Sequence, residues 1–222
     1  MSKFITSSIG KKVVMSLSGL FLMTFLMVHL TVNCFLFAGA EAFNTAAHFM
    51  VTNPIIKVVE PILALGFVVH IAWSIWITIQ NMMARPVRYN KTNQGKNSSF
   101  ASRNMFVLGG LVLTFLALHI ANFYVKIKFT HEIGAVSYAG VEMHDTYTLV
   151  TSLFTIWWYD VIYVIGAILL GYHLSHGFWS AFQTIGFSNQ IWRKRLTVIG
   201  YIFALVIAGG FAIIPTYFYF VQ

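Results

Sequence analysis

The chain has 222 residues, of which 58% are hydrophobic and only 9% are charged, and its mean hydropathy is +0.76. Soluble domains carry about 25% charged residues, so this composition excludes a soluble enzyme and indicates an integral membrane protein without a sizeable soluble domain. The single cysteine, Cys34, excludes a disulfide, a cysteine zinc site and an iron–sulfur cluster within the chain. No glycine-rich phosphate loop follows a strand pattern, so no nucleotide site is predicted.

Five apolar runs each contain the ~20 residues that a helix needs to cross a bilayer. They predict transmembrane helices over residues 13–37, 58–83, 105–125, 156–182 and 196–221. The first run exceeds the roughly 7–15 apolar residues of a signal peptide, so we interpret it as a retained helix, although Ala38-Gly39-Ala40 imitates a cleavage site. Residues 1–222 are expected to form a single all-α membrane domain. The segments between the runs are interpreted as loops, and no β-strand pattern is evident.

The charged residues predict the orientation of the chain. Eleven of the 14 lysines and arginines lie in the N-terminal segment, the loop of residues 85–103 and the short loop before the fifth run. All six acids lie in the other two loops or at the adjoining helix ends: Glu41, Glu60, Glu132, Glu142, Asp145 and Asp160. Basic residues in short loops stay in the cytoplasm, so the N-terminus is predicted to be cytoplasmic and the C-terminus external. This asymmetry explains the net charge of +8 better than nucleic-acid binding does.

Four histidines lie deep in the first four runs, one in each: His29, His70, His119 and His173. An ionisable side chain at membrane depth is costly and indicates a functional site. A neutral imidazole can ligate iron through one ring nitrogen and form a hydrogen bond through the other. Two imidazoles from facing helices would close both axial positions of a haem, so the set predicts two bis-histidine haems b. The alternative for any single histidine is an interhelical hydrogen bond.

Helical rise predicts which histidines lie at the same depth. His29 and His119 lie roughly 24 Å and roughly 21 Å beyond the inner ends of their helices, and His173 lies roughly 12 Å from the inner end of its own. His70 is near the middle of its run. We therefore expect His29 and His119 to form an outer pair, and His70 and His173 to form an inner pair.

Small residues near the histidines support this interpretation. Gly166 and Gly177 share a helix face with His173, so this face is expected to admit a large flat group. His176 lies about 60° around the same helix and is the competing ligand, but the two glycines favour His173.

Small residues also accompany the first two histidines. Gly66 precedes His70 by one turn, and Ser18 precedes His29 by three turns on the same face. Ser18 is therefore expected to line the inner haem or to contact one of its propionates.

Three motifs carry a resemblance to a known family: Ser16-Leu17-Ser18-Gly19-Leu20, Gly66-Phe67-Val68-Val69-His70 and the segment YHLSHGFW at residues 172–179. The last contains the pattern His-x-Ser-x-Gly with His173 as its histidine. The chain resembles, over nearly its whole length, the two-haem, one-polypeptide cytochrome b subunits of succinate:quinone oxidoreductases, which comprise succinate dehydrogenases and fumarate reductases.

The resemblance implies a five-helix bundle that encloses two haems b and passes electrons between an iron–sulfur subunit and a membrane quinone. It places the distal haem between the first and third helices and the proximal haem between the second and fourth, and it suggests Ser16 as a contact of a proximal propionate. It also implies a flavoprotein subunit with FAD, a quinone that is menaquinone in most relatives, and location in a bacterial cytoplasmic membrane. The basic cytoplasmic segments are candidates for docking the iron–sulfur subunit, although positive-inside topology explains them equally well.

Quinone chemistry needs a proton acceptor near the haem edge. On the predicted outer side the candidates are Glu41, His48, Glu60 and Asp160.

Three other hypotheses remain open. One is the haem b subunit of a nitrate reductase, formate dehydrogenase or hydrogenase, in which two histidines tend to share one helix. Another is a transporter or channel with a histidine proton relay, for which more charge or broken helices at mid-membrane would be expected. The third is a scaffold without a cofactor.

Overall fold

The structure is a computed structural model that describes residues 7–84, 99–130 and 133–221. Its α-helices are α1 Ser8–Cys34, α2 Ala40–Thr52, α3 Pro54–Met83, α4 Phe100–Arg103, α5 Met105–His119, α6 Thr146–Phe154, α7 Trp157–Thr184 and α8 Gln190–Val221. A 3₁₀ turn, Phe35–Ala38, follows α1, and two π-helical segments, Ile120–Tyr124 and Lys126–Thr130, follow α5. Most of the basic 85–103 loop, together with His131 and Glu132, lies outside the described residues.

Five segments are long and apolar enough to cross a membrane: Ser8–Ala38, Pro54–Met83, Met105–Thr130, Trp157–Thr184 and Gln190–Val221. The predicted fold class, an all-α integral membrane bundle with five spans, is thereby confirmed. Many large apolar side chains on these helices are exposed, as expected where helices face acyl chains rather than water.

Four of the spans form a square around the centre of the bundle. Helix α1 packs against α3 and α7, and α5 packs against α7 and, less extensively, against α3. Within the described residues, no extensive backbone packing joins α1 to α5 or α3 to α7, so these pairs are diagonal. The fifth span, α8, packs along the outside of α7 and also contacts α1.

Capping residues explain why two spans begin before the predicted positions. Helix α1 begins at Ser8 rather than near residue 13, because the Ser7 side chain accepts a hydrogen bond from Gly10 N at 3.0 Å. Helix α3 begins at Pro54 rather than near residue 58, because Asn53 caps it and Pro54 occupies its first turn. Hydropathy marks the apolar core of a helix and misses such polar first turns.

Two other spans extend past the predicted ends because their charged residues have partners. The third span continues to Thr130, and Lys128 Nζ lies 2.9 Å from Glu60 Oε2 on α3. Helix α8 begins at Gln190 rather than near residue 196, and Arg193 lies over the ring of Trp179 at 5.2 Å. Long basic side chains can thus extend from a helix end towards polar or aromatic groups at the interface.

The predicted outer loops contain regular structure, so their interpretation as loops was wrong. Helix α2 occupies most of the first one, with Phe43 and Asn44 buried. The second contains α6 and an antiparallel hairpin of β1 (Ala135–Tyr138) and β2 (Val141–His144). Its two-residue turn has Ala139 and Gly140 at positive φ, which matches the twist of paired strands. Both segments are too short and too polar to give a hydropathy signal.

Candidate functional site

The four deep histidines form two pairs across the diagonals of the bundle. His29 on α1 and His119 at the end of α5 have ring centroids 5.7 Å apart, with an interplanar angle of 88°. His70 on α3 and His173 on α7 have centroids 6.3 Å apart, with an angle of 71°. Each pair thus joins two helices whose backbones do not pack extensively against each other.

Aromatic rings surround the outer pair. Phe25 stacks on His29 at 5.2 Å, and Phe123 lies 5.2 Å from His119 in an edge arrangement. Further rings contact one or other imidazole: Phe211, Phe115 and Tyr163. Such a shell excludes water from the two imidazoles.

One buried polar contact beside the outer pair was not predicted from the sequence. Asn122 Nδ2 donates to Tyr163 OH at 3.1 Å, and Asn122 lies in the π-helical segment that begins directly after His119. A π-helical turn has i→i+5 hydrogen bonds and is common at functional sites. Neither residue is charged and the i→i+5 register leaves no pattern in hydropathy, so sequence analysis had no signal for this pair.

Backbone without side chains lies against the inner pair. A Cβ added to Gly19 on α1 would lie 3.6 Å from His70 Cε1, and one added to Gly109 on α5 would lie 3.7 Å from His173 Cε1. Both distances correspond to van der Waals contact, so each glycine lies directly against an imidazole ring. Each glycine lies ten residues before the outer-pair histidine of its own helix, so the two contacts are equivalent in register.

The inner pair also has unequal hydrogen bonding. Ser18 Oγ lies 3.2 Å from His70 Nδ1. In contrast, His173 Nδ1 and Trp73 Nε1 are buried side-chain nitrogens for which the described part of the chain offers no hydrogen-bond partner. Trp73 lies one turn from His70, so both unpartnered nitrogens belong to the surroundings of the inner pair.

The glycines that the sequence singled out have other neighbours than expected. A Cβ on Gly166 would lie 2.5 Å from the ring of Phe115, and one on Gly66 would lie 2.7 Å from the ring of Phe21. The expectation that Gly166 clears space around His173 was therefore wrong. Seven residues correspond to about 10 Å along a helix, which places Gly166 near the level of the outer pair.

Comparison with known proteins identifies one curated relative. The chain is 25% identical over 178 residues to the succinate dehydrogenase cytochrome b558 subunit of Bacillus subtilis strain 168, and the match covers 78% of this chain and 77% of that protein. The chain resembles a succinate dehydrogenase cytochrome b subunit. The resemblance predicted from the motifs is thereby confirmed. No family model matches the chain, and no solved structure gives a significant match.

Because the Bacillus subtilis relative is a cytochrome, haem is the group against which the two pairs are tested. Two imidazoles that held one metal ion from opposite sides, each at a metal–nitrogen distance of about 2 Å, would have ring centroids about 6 Å apart. The observed separations are 5.7 Å and 6.3 Å. No group of three or more His, Cys, Asp or Glu suited to a metal ion occurs in the described ranges, but a porphyrin supplies four nitrogens and takes only two ligands from the protein.

Two remaining predictions for the inner pair concern His176 and Ser16. The ring of His176 lies 5.8 Å from that of Trp179 and at a right angle to it, whereas His173 faces His70. Ser16 is buried within α1. Its assignment to a propionate stays a prediction.

The four predicted quinone residues have separate sets of neighbours. Glu60 accepts from Tyr124 OH at 2.8 Å and pairs with Lys128, and Asp160 accepts from Thr216 at 3.4 Å. Glu41 is exposed in the first turn of α2.

The fourth, His48, lines an outer cavity of about 320 Å³ between α2, the hairpin and the π-helical segment. Glu142 and His144 line the same cavity. Sequence analysis did not bring these two β2 residues together with His48, because the hairpin was not predicted.

Proposed function

We propose that the chain is the membrane-anchor cytochrome b subunit of a succinate dehydrogenase or fumarate reductase, which passes electrons between an iron–sulfur subunit and a membrane quinone through two haems b. The single observation that supports this most strongly is the presence of two imidazole pairs with ring centroids 5.7 Å and 6.3 Å apart, each drawn from two diagonal helices. The cytochrome b558 name of the relative supports the same conclusion independently.

In this proposal His29 and His119 hold the outer haem, and His70 and His173 hold the inner one. Each imidazole is neutral and donates a nitrogen lone pair, and the aromatic rings around the outer pair exclude water. A haem held by either pair would supply a one-electron carrier. Ser16 remains a candidate for a propionate, and Trp73 Nε1, which has no partner within the described residues, is a further donor for such a carboxylate.

The positions of the two histidine pairs explain how one polypeptide would connect two partners. The inner pair lies nearer the predicted cytoplasmic side, where an iron–sulfur subunit and its FAD flavoprotein would dock. The outer pair lies nearer the opposite side, where a quinone, menaquinone in this proposal, would enter from the bilayer. We assign the protein to a bacterial cytoplasmic membrane and treat residues 1–222 as one membrane domain.

Among the predicted quinone residues, His48 has the best support because it lines a cavity of molecular size. Glu60 has weaker support, since both of its oxygens are already engaged by Tyr124 and Lys128. A group whose hydrogen bonds are satisfied is a poorer proton acceptor than one that faces an open cavity.

Purification in mild detergent followed by a haem assay tests the proposal. The expected result is a red protein with a b-type α band on reduction and two haems per chain. A colourless protein, expressed with sufficient haem supply and extracted intact, would refute it. Co-purification of a flavoprotein and a cysteine-rich iron–sulfur chain is the expected result for the native complex.

A further inference from the structure

The hydrogen bond between Ser18 and His70 has a direction that the second contact of Ser18 favours. Ser18 Oγ lies 3.1 Å from Met15 O, one turn earlier in α1, and donates its hydrogen to that carbonyl. A hydroxyl has one hydrogen and two acceptor lone pairs. With that hydrogen on Met15 O, the contact of 3.2 Å with His70 Nδ1 has Nδ1–H as its donor and Ser18 Oγ as its acceptor.

This direction fixes the tautomer of the imidazole. A neutral imidazole carries one N–H, so a proton on Nδ1 leaves Nε2 with a free lone pair. The Cε1–Nδ1 edge of the ring lies against Gly19 on α1. Nε2 is therefore the nitrogen that remains for a metal.

The equivalent histidine of the inner pair has no such partner. The position on α5 that corresponds to Ser18 is Leu108, one residue before the equivalent glycine Gly109, and its buried side chain is apolar. Accordingly, His173 Nδ1 has no hydrogen-bond partner within the described segments. Ser18 and Leu108 thus occupy equivalent positions, but only Ser18 offers an oxygen atom to the neighbouring imidazole.

We propose that Ser18 is the positioning residue of His70: its hydroxyl holds the imidazole in the Nδ1–H tautomer, orients the ring and strengthens Nε2 as a ligand of the inner haem. A hydrogen-bond acceptor on the non-ligating nitrogen raises the basicity of an imidazole ligand. A more basic ligand stabilises ferric iron and lowers the reduction potential of the haem. The inference rests on the proposed function and assigns Ser18 to the ligand rather than to a propionate.

Ser18→Ala in the purified holoprotein tests this inference, with a redox titration that resolves the two haems. We expect the midpoint potential of one haem to rise while that of the other is unchanged. Ser18→Thr keeps a hydroxyl and is expected to restore the parent value. Thr24→Val is the matched control, because the Thr24 hydroxyl also bonds a carbonyl of its own helix, that of Leu20, but faces away from the histidines.

The outcomes separate the inference from the function on which it rests. Loss of one haem in Ser18→Ala with retention in Ser18→Thr also supports it, since threonine keeps the hydroxyl that alanine lacks. Parent potentials in Ser18→Ala would overturn it, as would Ser18→Thr behaving like Ser18→Ala, or an equal shift in Thr24→Val. Absence of haem from the parent protein would instead refute the proposed function.

Discussion

Two histidines three residues apart on α7 compete for one proposed iron ligand position. The ring of His173 lies 6.3 Å from that of His70, whereas the ring of His176 packs against Trp179. We expect His173→Ala to lower the haem content from two to one per chain, because the inner pair loses an imidazole. His176→Ala, the matched control on the same helix, is expected to keep both haems. Haem analysis of the purified variants checks this, and loss from the His176 variant alone would reverse the assignment.

The sequence predicts the position of a residue along its own helix, but it does not predict which residues of other helices it contacts. Helical rise is constant, so the depth of each histidine follows from its position, and the rings that lie close together are those at similar depths. Their role as ligands stays a prediction. The neighbours Gly19 and Gly109 could not be predicted, because contact between helices depends on rotation and tilt that a single sequence does not specify.

The carboxylate of Asp145 supports a second prediction at this scale. Burial alone would raise the pKa of Asp145, but hydrogen bonds from Thr148 and from the buried Asn44 lower it below the ordinary value of 3.8. Asp145 also caps α6, and Asn44 accepts from Tyr147 N at 2.8 Å. Because the pKa of Asp145 is lower in the folded state, its ionised carboxylate stabilises the fold fully above pH 3.8. This contribution to stability is lost as the pH falls through the lower pKa of the folded state.

Hydrogen exchange in the first turn of α6 measures this effect. We expect protection to fall as the pH drops through that acidic range, after correction for intrinsic exchange. Asp145→Asn is the control, because asparagine caps a helix about as well as aspartate but does not titrate. Its protection is expected to be independent of pH, and an identical acid transition in both proteins would contradict the assignment to Asp145.

At the scale of the helix, the contact between α7 and α8 depends on small side chains. A Cβ on Gly171 would lie 2.8 Å from Ala208 Cβ and 3.7 Å from Ala204 O. Close backbone approach through small residues is how membrane helices gain packing energy. Because the neighbouring atoms belong to backbone and Cβ groups, they cannot move aside as a flexible side chain could.

We therefore expect Gly171→Leu to destabilise the bundle by about 1–3 kcal/mol, the usual cost of overpacking. Gly209→Leu on α8 is the matched control, because a Cβ there would have no neighbour within 4 Å. Thermal unfolding in detergent, followed by the haem absorbance and by circular dichroism, measures the difference. Equal melting temperatures for the two variants would show that the α7–α8 contact tolerates a larger separation.

The elements that hydropathy missed share a physical property. Helix α2 and the β1–β2 hairpin lie beyond the ends of the spans, and the second π-helical segment, Lys126–Thr130, forms the end of the third span. Their stability comes from tertiary contacts, such as Lys128 with Glu60 and Asn44 with Asp145, rather than from a long apolar run. The five spans were predictable because each carries its own signal, whereas these elements depend on partners far away in the chain.

At the scale of the whole molecule, an odd number of spans places the two termini on opposite sides of the membrane. Eleven of the 14 basic residues lie on the side of the N-terminus, and basic residues in short loops are retained in the cytoplasm. The predicted outer side instead contains α2, the hairpin and α6, and the sequence places the acidic residues in these loops or at the adjoining helix ends. The orientation therefore decides which histidine pair faces the soluble partner subunits in the proposed complex.

Reporter fusions to the full chain test the orientation. We expect alkaline phosphatase fused after Gln222 to be active, because it folds only outside the cytoplasm, and a fluorescent protein at the same position to be dark. The fluorescent protein fused before Met1 is the matched control and is expected to fluoresce. The reverse pattern would place the His29–His119 pair on the cytoplasmic side, and that pair would then be the one to receive electrons from an iron–sulfur subunit. The proposed path of electrons, from inner to outer pair, therefore depends on the charge asymmetry of the loops as much as on the imidazoles.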